Sequence, residues 1–498
     1  MSASTASRRN LLVLALAAAA LGIALRVWIL HSHLGALDAD EAVVGLQAKA
    51  ILHGTFPVFF PGQGYGGTQE AFLAAPLIAL FGLSATAIRI VPILLWAVGA
   101  VLVWRIGLRV LDRRRAVLAA AVFWIWPTYF DWKSTRAHGF YGSELVLGLV
   151  VLLLVLRLDE RRSVRDLVLL GLALGLGLWS SPSVAIVALP ALGWLVWRHR
   201  SLLRDAPVVL GAALVGALPW LLGNLHHGWY SLHPGRNEGS WANHVHNLVV
   251  STLPEALGLR LAWSYEWLGG VAVALILYAL AVVGFGWLVV RRPSRLTPLL
   301  LIVLVFPIFY FVSPYTWLES EPRYLTLVMP VFALLLASVM TTWARTAAVL
   351  GVIVALSVGG MVELQRNHVV AFRTEGETPV PASIRPVLDT LRAHHLADAF
   401  ASYWIAWRIT FESDEKIVGA PANYPHPTIR AGRVHPGVAA NDRGTGTRYY
   451  NEVDATRNAA HVFVLGGDVE PKVAPILRRA GYRRIVKGGF AIWIPPGT

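Results

Sequence analysis

The chain contains no cysteine, which excludes a disulfide framework and thiol chemistry. Charge is scarce as well. Only 14% of its 498 residues are Asp, Glu, Lys or Arg, against about 25% in an average soluble domain. Several nucleotide signatures are missing: no phosphate-cradling Gly-rich loop ending in Gly-Lys-Ser/Thr, and no dinucleotide fingerprint. A sugar-nucleotide Asp-x-Asp in a soluble domain is also absent. Asp38-Ala39-Asp40 has that form, but it lies beside an apolar segment on the side expected to face away from cytoplasmic nucleotide sugars. The abundant residues are apolar. Hydrophobic types make up 56% of the chain and there are 20 tryptophans, with a mean hydropathy of +0.57. A polytopic membrane protein follows. The net charge of +14 does not point to nucleic acid. The arginines gather in short loops between apolar runs, which is the positive-inside pattern.

One stretch holds the carboxylates of the first hundred residues. It runs from Asp38 to Glu70 and carries Asp38, Asp40, Glu41 and Glu70. A helix is expected over Ala42–Leu52, with Val43, Val44, Leu46 and Ala50 on one face. His53-Gly54 ends it, and Pro57, Pro61 and four glycines shape an irregular loop. Carboxylates at a membrane edge are costly, so they suggest a site. The bland alternative is a solvated loop.

Arg8 and Arg9 precede a first span at about 10–30, which is too long for a cleaved signal peptide. Arg26 near its outer end snorkels or pairs with the acidic loop. Further spans are expected at about 86–106, 115–128, 140–157, 207–223, 268–290, 297–312, 324–342 and 346–362. The runs at about 167–180 and 184–197, joined at Ser181-Pro182-Ser183, form two short spans or a re-entrant pair. About eleven spans from an inner N-terminus leave every arginine-rich loop inside. The connections 31–85 and 224–267 and the tail then lie outside. Residues 1–362 would be the transmembrane domain. Residues 363–498 would be an extracytoplasmic α/β domain, with helices at Pro386–His394 and Pro471–Arg479. Its strand would be at His461–Leu465, and a hairpin would close it from Tyr482 to Ile494. Phe400–Ile409 reads as strand or helix. Pro421–Tyr449 reads as irregular.

Asp40-Glu41 after the first span, a short helix, His53-Gly54-Thr55-Phe56-Pro57 and a Tyr/Gly-containing loop form a pattern. It continues in Phe81-Gly82-Leu83-Ser84 and Ala87-Ile88-Arg89-Ile90-Val91-Pro92. This pattern resembles the first periplasmic loop of the GT-C superfamily, the polyprenyl-phosphate-sugar-dependent membrane glycosyltransferases. Protein O-mannosyltransferases and lipid A aminoarabinose transferases belong to it. Where the latter carry Lys-Pro-Pro-Leu, this chain reads Thr68-Gln69-Glu70-Ala71, so the resemblance is closer to the bacterial RgtA/B/C/D-type transferases. It covers residues 10–140 by motif and the rest by architecture. It implies inverting transfer of a sugar from a polyprenyl-phosphate donor to an extracytoplasmic glycan, lipid or protein, at the bacterial cytoplasmic membrane.

Such chemistry needs a base, positive charge on the departing phosphate, and a groove for the lipid. The resemblance assigns the base to Asp40, whose alternative task is to cap the helix. Glu41 would orient Asp40 or the acceptor, and Glu70 would support them or hold a metal. Arg89, which matches the family's arginine, together with Lys133, Arg136, His138 and Arg323-Tyr324, would bind the donor phosphate. Each is otherwise an interfacial anchor. Asp40, Glu70, Arg89 and the loop 129–138 should meet in one outer cavity. A divalent cation could sit between Asp40, Glu41 and Glu70. His226-His227 and His244-x-His246 are metal candidates too, though paired loop histidines are more often solvated. A transporter or flippase is the rival class, and a polymer-binding subunit is a third. A transporter favours ionisable groups near the bilayer midplane; here they gather in loops.

Overall fold

The computed structural model describes residues 2–226, 228–233, 240–291, 294–313, 316, 322–373, 378–430, 433–438, 446–456 and 458–497. It divides into two compact units that do not follow the linear order. One comprises Met1–His31, Pro92–Arg136 and Phe140–Val369. The other joins Ser32–Val91, Ala137–Gly139 and Val370–Thr498.

The first unit is helical. Among the described residues of the chain, six helices are long and apolar enough to cross a membrane: Arg9–Leu30, Ala85–Val110, Tyr141–Glu160, Val271–Arg291, Ser294–Val312 and Trp343–Arg366. A seventh is counted if Arg200–Gly216 and Leu218–His226, bent by 56°, form one span. The protein is therefore a multi-pass membrane protein. The span expected at about 207–223 falls on this bent pair, whose break lies beside Pro219. The expected span at 324–342 is shorter, a helix over Met329–Val339 preceded by a tight turn over Pro322–Leu325. The apolar runs joined at Ser181 are two helices, Val164–Ser180 and Ala185–Arg198, separated by a single turn at Pro182–Val184.

Small residues set the closest helix pair. A Cβ on Gly175 would lie 2.1 Å from the Ala213 carbonyl oxygen, and one on Gly171 2.3 Å from that of Val209. The Gly-x-x-x-Gly spacing thus lets Val164–Ser180 and Ala206–Gly216 pack backbone against backbone. Arginines in this unit are satisfied locally: Arg157 on Asp166, Arg198 on Asp159, and Arg114 on the Trp343 ring and the Thr346 hydroxyl.

The second unit begins with α1 (Ala39–Leu52), a small hairpin of β1 (Phe59–Phe60) and β2 (Gln63–Gly67), and α2 (Gln69–Phe81). Later come α3 (Arg385–Ala393), β3 (Asp398–Ala401), α4 (Tyr403–Glu412), β4 (Val418–Arg430) and β5 (Arg433–Val438). They are followed by α5 (Gly446–Ala455), β6 (Ala459–Val464), α6 (Val469–Arg479), β7 (Arg483–Lys487) and β8 (Phe490–Ile494). The six-stranded sheet has the order β5-β4-β3-β6-β8-β7. β3 runs parallel to β4 and β6, and the remaining pairs are antiparallel.

Alternation along the strands decides the layers. Ala399, Ala401, Val462, Val464, Ile492 and Ile494 face α3 and α4. On the opposite face, Phe400 and Ala420 meet α5, while Phe463 and Trp493 meet α6. This is a three-layer α/β/α sandwich. Phe400–Ile409, open between strand and helix from its sequence, is both: β3 ends at Ala401 and α4 starts at Tyr403.

The expectation that Pro421–Tyr449 is irregular fails over its described residues. β4 and β5 pair at Ala422–Asn423 and again at Thr428–Arg430, with the register broken between Asn423 and Thr428. That break holds Pro425 and Pro427, so neither proline displaces a regular ladder bond, and β5 with Pro436 is an edge strand. The proline content was legible; its placement in a bulge was not.

α1 also departs from its expected single buried face. Every residue from Glu41 to Ala48 is buried, because α2 lies along one side and α4 along another. A Cβ on Gly45 would fall 2.2 Å from the Phe411 ring of α4. Glycine is what that crossing admits.

Between β6 and the α6 layer, His461 is fully buried and its Nδ1 meets the Tyr424 hydroxyl at 2.9 Å. Burial pushes its pKa down to about 3. A depressed histidine is neutral in the folded state, so its contribution to stability is full above about 6.5 and is lost as pH falls toward 3. Between pH 7 and 5 the apparent Tm should fall. The slope should be shallower in His461→Phe by an amount that grows from a fraction of a kcal/mol per pH unit near pH 7 to about 1.4 kcal/mol per pH unit near pH 5. Equal slopes in differential scanning fluorimetry would mean that His461 is not the titrating group.

Candidate active site

The acidic loop is built by a capping box. Asp38 is the N-cap of α1: its Oδ1 accepts from the Glu41 amide at 2.8 Å, while a Glu41 carboxylate oxygen lies 3.4 Å from the Asp38 amide. The cap is thus Asp38, not Asp40. Both Asp38 and Glu41 are buried, and each has a nitrogen-bearing side chain as partner. Asp38 Oδ2 lies 2.6 Å from His138 Nε2. Glu41 takes the Arg89 guanidinium in both hands, Nε to Oε1 at 2.7 Å and Nη2 to Oε2 at 2.6 Å. The rest of that guanidinium donates to the carbonyls of Gly35 and Ala36 at 3.0 and 3.4 Å. Arg89 and His138, expected at the donor phosphate, have acidic-loop partners in this structure.

Asp40 is different. It lies in the first turn of α1, where the helix dipole favours a carboxylate. Unlike Asp38, Glu41 and Glu70, it retains partial exposure. Its Oδ1 accepts the Tyr403 hydroxyl proton at 2.6 Å. Glu70, 1% exposed, sits in the first turn of α2. The loop between α1 and α2 is pinned by Thr68, whose hydroxyl donates to the Pro57 carbonyl at 2.6 Å. Gly139 is required where it stands: its φ is +94°, and a Cβ there would meet the Phe60 ring at 2.7 Å. That close approach seats the segment bearing His138 against the hairpin. Lys49, one turn from the end of α1, reaches Asp414 and Glu415 beyond α4, both at 2.8 Å. One site fragment thus contains Asp40, Glu41, Arg89, His138 and Tyr403, with Glu70 on the neighbouring helix.

Lys133, Arg136, Arg323 and Tyr324 belong to the first unit. Lys133 and Arg136 are 3% and 1% exposed. Lys133 Nζ stands 3.7 Å over the Tyr141 ring, and the Arg136 guanidinium 5.1 Å from the Trp132 ring. The turn Pro322–Leu325, with Arg323 over Tyr324 at 5.4 Å, packs against the short helix Thr128–Lys133. Arg323, nearly two hundred positions later in the chain, is thereby on a turn packed against the helix that carries Lys133. Arg26 is not part of the acidic loop. It lies 3.3 Å from Asp131 and 3.7 Å from the Trp124 ring.

Sequence reasoning missed Tyr403, which is 363 positions from its partner Asp40 and carries no local signal. It also missed the buried acids Glu144 and Glu255. His244 was noticed but as a loop metal candidate. It is buried, 3.2 Å from the Thr316 hydroxyl and edge-on to Tyr310. His227 lies outside the described residues. Among the described residues no group of three or more His, Cys, Asp or Glu side chains is arranged to hold a metal.

Comparison with known proteins places the fold. The apo crystal structure of ArnT from Cupriavidus metallidurans superposes with a TM-score of 0.63, at 13% identity. It covers 99% of this chain and 98% of that one. The chain has the ArnT fold. ArnT bound to undecaprenyl phosphate matches nearly as well, with a TM-score of 0.62, 13% identity and coverage of 97% and 98%. AglB from Archaeoglobus fulgidus, in complex with an inhibitory peptide and a dolichol-phosphate, follows. Its TM-score is 0.50 at 14% identity, over 98% of this chain and 74% of that one. Residues 70–222 match the family described as dolichyl-phosphate-mannose-protein mannosyltransferase. A shorter similarity, 31% identity over 108 residues, links the chain to a glycerol-3-phosphate acyltransferase of Pseudomonas aeruginosa. It covers 20% of this chain, which spans 57% of that relative's length. The likeness to ArnT instead runs through both units and includes the acidic loop.

Proposed function

We propose that this chain is an inverting membrane glycosyltransferase that moves a sugar from a polyprenyl-phosphate donor to a hydroxyl of an extracytoplasmic glycan, lipid or protein. ArnT and AglB, whose structures hold undecaprenyl phosphate and dolichol-phosphate respectively, and the mannosyltransferase match support the donor class. The observation that carries the mechanism is Asp40. It is a partly exposed carboxylate held by Tyr403, in a loop whose other acids are buried.

In this reading Asp40 accepts the proton of the acceptor hydroxyl. The hydroxyl oxygen forms a bond to the anomeric carbon from the face opposite the phosphate. The bond from that carbon to the phosphate oxygen breaks, and the lipid leaves as its phosphate monoester. Lys133, Arg136 and Arg323 keep the donor-phosphate role that the sequence gives them, because cations offset the charge gathering on such a phosphate. Glu41, Arg89, Asp38 and His138 hold the loop that aims Asp40. The weaker reading is a divalent cation between Asp40, Glu41 and Glu70, because both Glu41 oxygens are already on Arg89. The protein would reside in the bacterial cytoplasmic membrane with about eleven spans, and with Asp40 and the C-terminal sheet on the outer side. A transporter is less favoured, since the ionisable cluster is preassembled around a carboxylate suited to proton transfer.

The test is transfer in proteoliposomes. Radiolabelled sugar on a polyprenyl phosphate is supplied with a cell-envelope extract, and both labelled product and released lipid phosphate are measured. Labelled product with stoichiometric lipid phosphate is expected. Movement of intact donor across the bilayer without cleavage would establish the flippase instead. Tyr403→Phe removes one hydrogen bond to a charged group, worth about 1.5 kcal/mol or more. It should lower kcat roughly tenfold and leave the donor half-saturation concentration unchanged. A rise in donor half-saturation with kcat intact would place Tyr403 in donor binding rather than on the base.

A further inference from the structure

The α/β/α unit has a feature that sugar transfer at Asp40 does not itself require. β3 leads through α4 to β4 on one side of the sheet, and β6 leads through α6 to β7 on the other. α4 and α6 lie on opposite faces. Adjacent parallel strands whose connections depart in opposite directions leave a crevice at their carboxyl ends. In open α/β sheets that crevice is where ligands bind. Here it is real: a cavity of about 100 Å³ lies at the ends of β3 and β6. Tyr403 and Trp404 line it from the start of α4, Tyr424 and Phe463 from the sheet, and Asp468 and Glu470 from the start of α6.

The lining states a chemistry. Trp404 is half-buried, its ring propped against Phe372 at 5.6 Å and Tyr403 at 5.5 Å. Ser402, also on the wall, has a buried hydroxyl with no hydrogen-bond partner. Two helix N-termini would ordinarily attract an anion, but α6 opens with Asp468 and Glu470. Glu470 is bound on both oxygens by Arg484 and by the Trp493 indole. Asp468 is exposed beside Lys472. Carboxylates at that position disfavour phosphate and accept from hydroxyls. Aromatic faces with hydroxyl and carboxylate acceptors suit a polyhydroxylated ring, apolar on its C–H faces and a donor around its rim.

We propose that this crevice is a binding subsite for an uncharged sugar ring of the acceptor. Tyr403 both lines it and donates to Asp40, so a glycan seated there runs toward the base. The assignment of the ring to an acceptor rests on the transferase reading; the binding itself does not.

The experiment is saturation-transfer difference NMR on the full-length protein in detergent micelles, with no donor lipid. The probes are the methyl glycosides of mannose, galactose, glucose and arabinose, with inorganic phosphate as the anionic comparison. At least one glycoside should receive saturation. Its affinity should drop tenfold or more both in Trp404→Ala and in Val469→Trp, which narrows the crevice from the α6 side without removing a ring. Trp404→Phe should retain binding within about threefold. Thermal melts show that the variants remain folded. Saturation of no glycoside, binding unchanged in both folded variants, or displacement of the glycoside by equimolar phosphate would each overturn the proposal. Because no donor is present, glycoside binding persists even if the proteoliposome assay shows no transfer. Loss of binding leaves the transfer result standing.

Discussion

Asp40→Asn should slow sugar transfer by roughly 10²–10⁴-fold, the usual contribution of a general base. The substitution isolates one property. Asparagine keeps the size of aspartate and its side-chain oxygen can still accept from Tyr403, but at neutral pH it cannot take a proton. Nor does the change touch the helix cap, because Asp38 holds that position. Folding, membrane insertion and donor binding should therefore be preserved. Asp38→Asn would not serve as a neutral control. Asparagine caps as well as aspartate, yet the change removes the charge facing His138 at 2.6 Å. Asp414→Asn is the better control. Asp414 is an exposed carboxylate in the same unit, and Lys49 keeps Glu415 when Asp414 is gone. Initial rates at equal expression decide the matter. An Asp40→Asn rate within about threefold of wild type would remove Asp40 from the base role.

The membrane class, the acidic loop and most helix positions were legible because they depend on local signals. Apolar runs of about twenty residues, arginine clusters between them and the Asp-Glu pair after the first span are each contained within a short window. What was illegible depends on contacts between distant segments. The tail looked like a separate domain appended after residue 362. In the structure it forms one unit with residues 32–91 and 137–139, because the buried faces of α1 meet α4. No window of the sequence holds both Gly45 and Phe411. The same separation hid Tyr403 from Asp40. Charge pairing was illegible for a related reason. A sequence shows that Arg89 and Glu41 exist, not that burial makes them each other's obligate partners. The β4–β5 pairing was missed because prolines read as breakers, and only the register shows that two of them sit where no ladder bond is lost.

Arg89 is where the two readings of the site diverge most, and Glu41→Ala separates them. The pair is almost wholly buried, with side-chain exposures of 9% and 0%. Removing the carboxylate leaves the Arg89 guanidinium in the interior with only carbonyl partners, and breaking a buried pair in this way costs about 3–5 kcal/mol. An apparent Tm drop on the order of 10 °C is expected for Glu41→Ala. Replacing both partners at once, as Glu41→Leu with Arg89→Met, removes the uncompensated charge. It should recover most of that loss, since apolar isosteres of a buried pair are often neutral or better. The activity of the double variant then assigns Arg89. If the pair only fixes the loop, transfer should recover along with stability, to within about tenfold of wild type. If Arg89 instead meets the donor phosphate during turnover, the restored protein should still transfer slowly and should need far more donor to reach half its maximal rate. A double variant as unstable as Glu41→Ala would show that the loop depends on the charges themselves, through the capping-box contact of Glu41 with the Asp38 amide and the Arg89 bonds to Gly35 and Ala36.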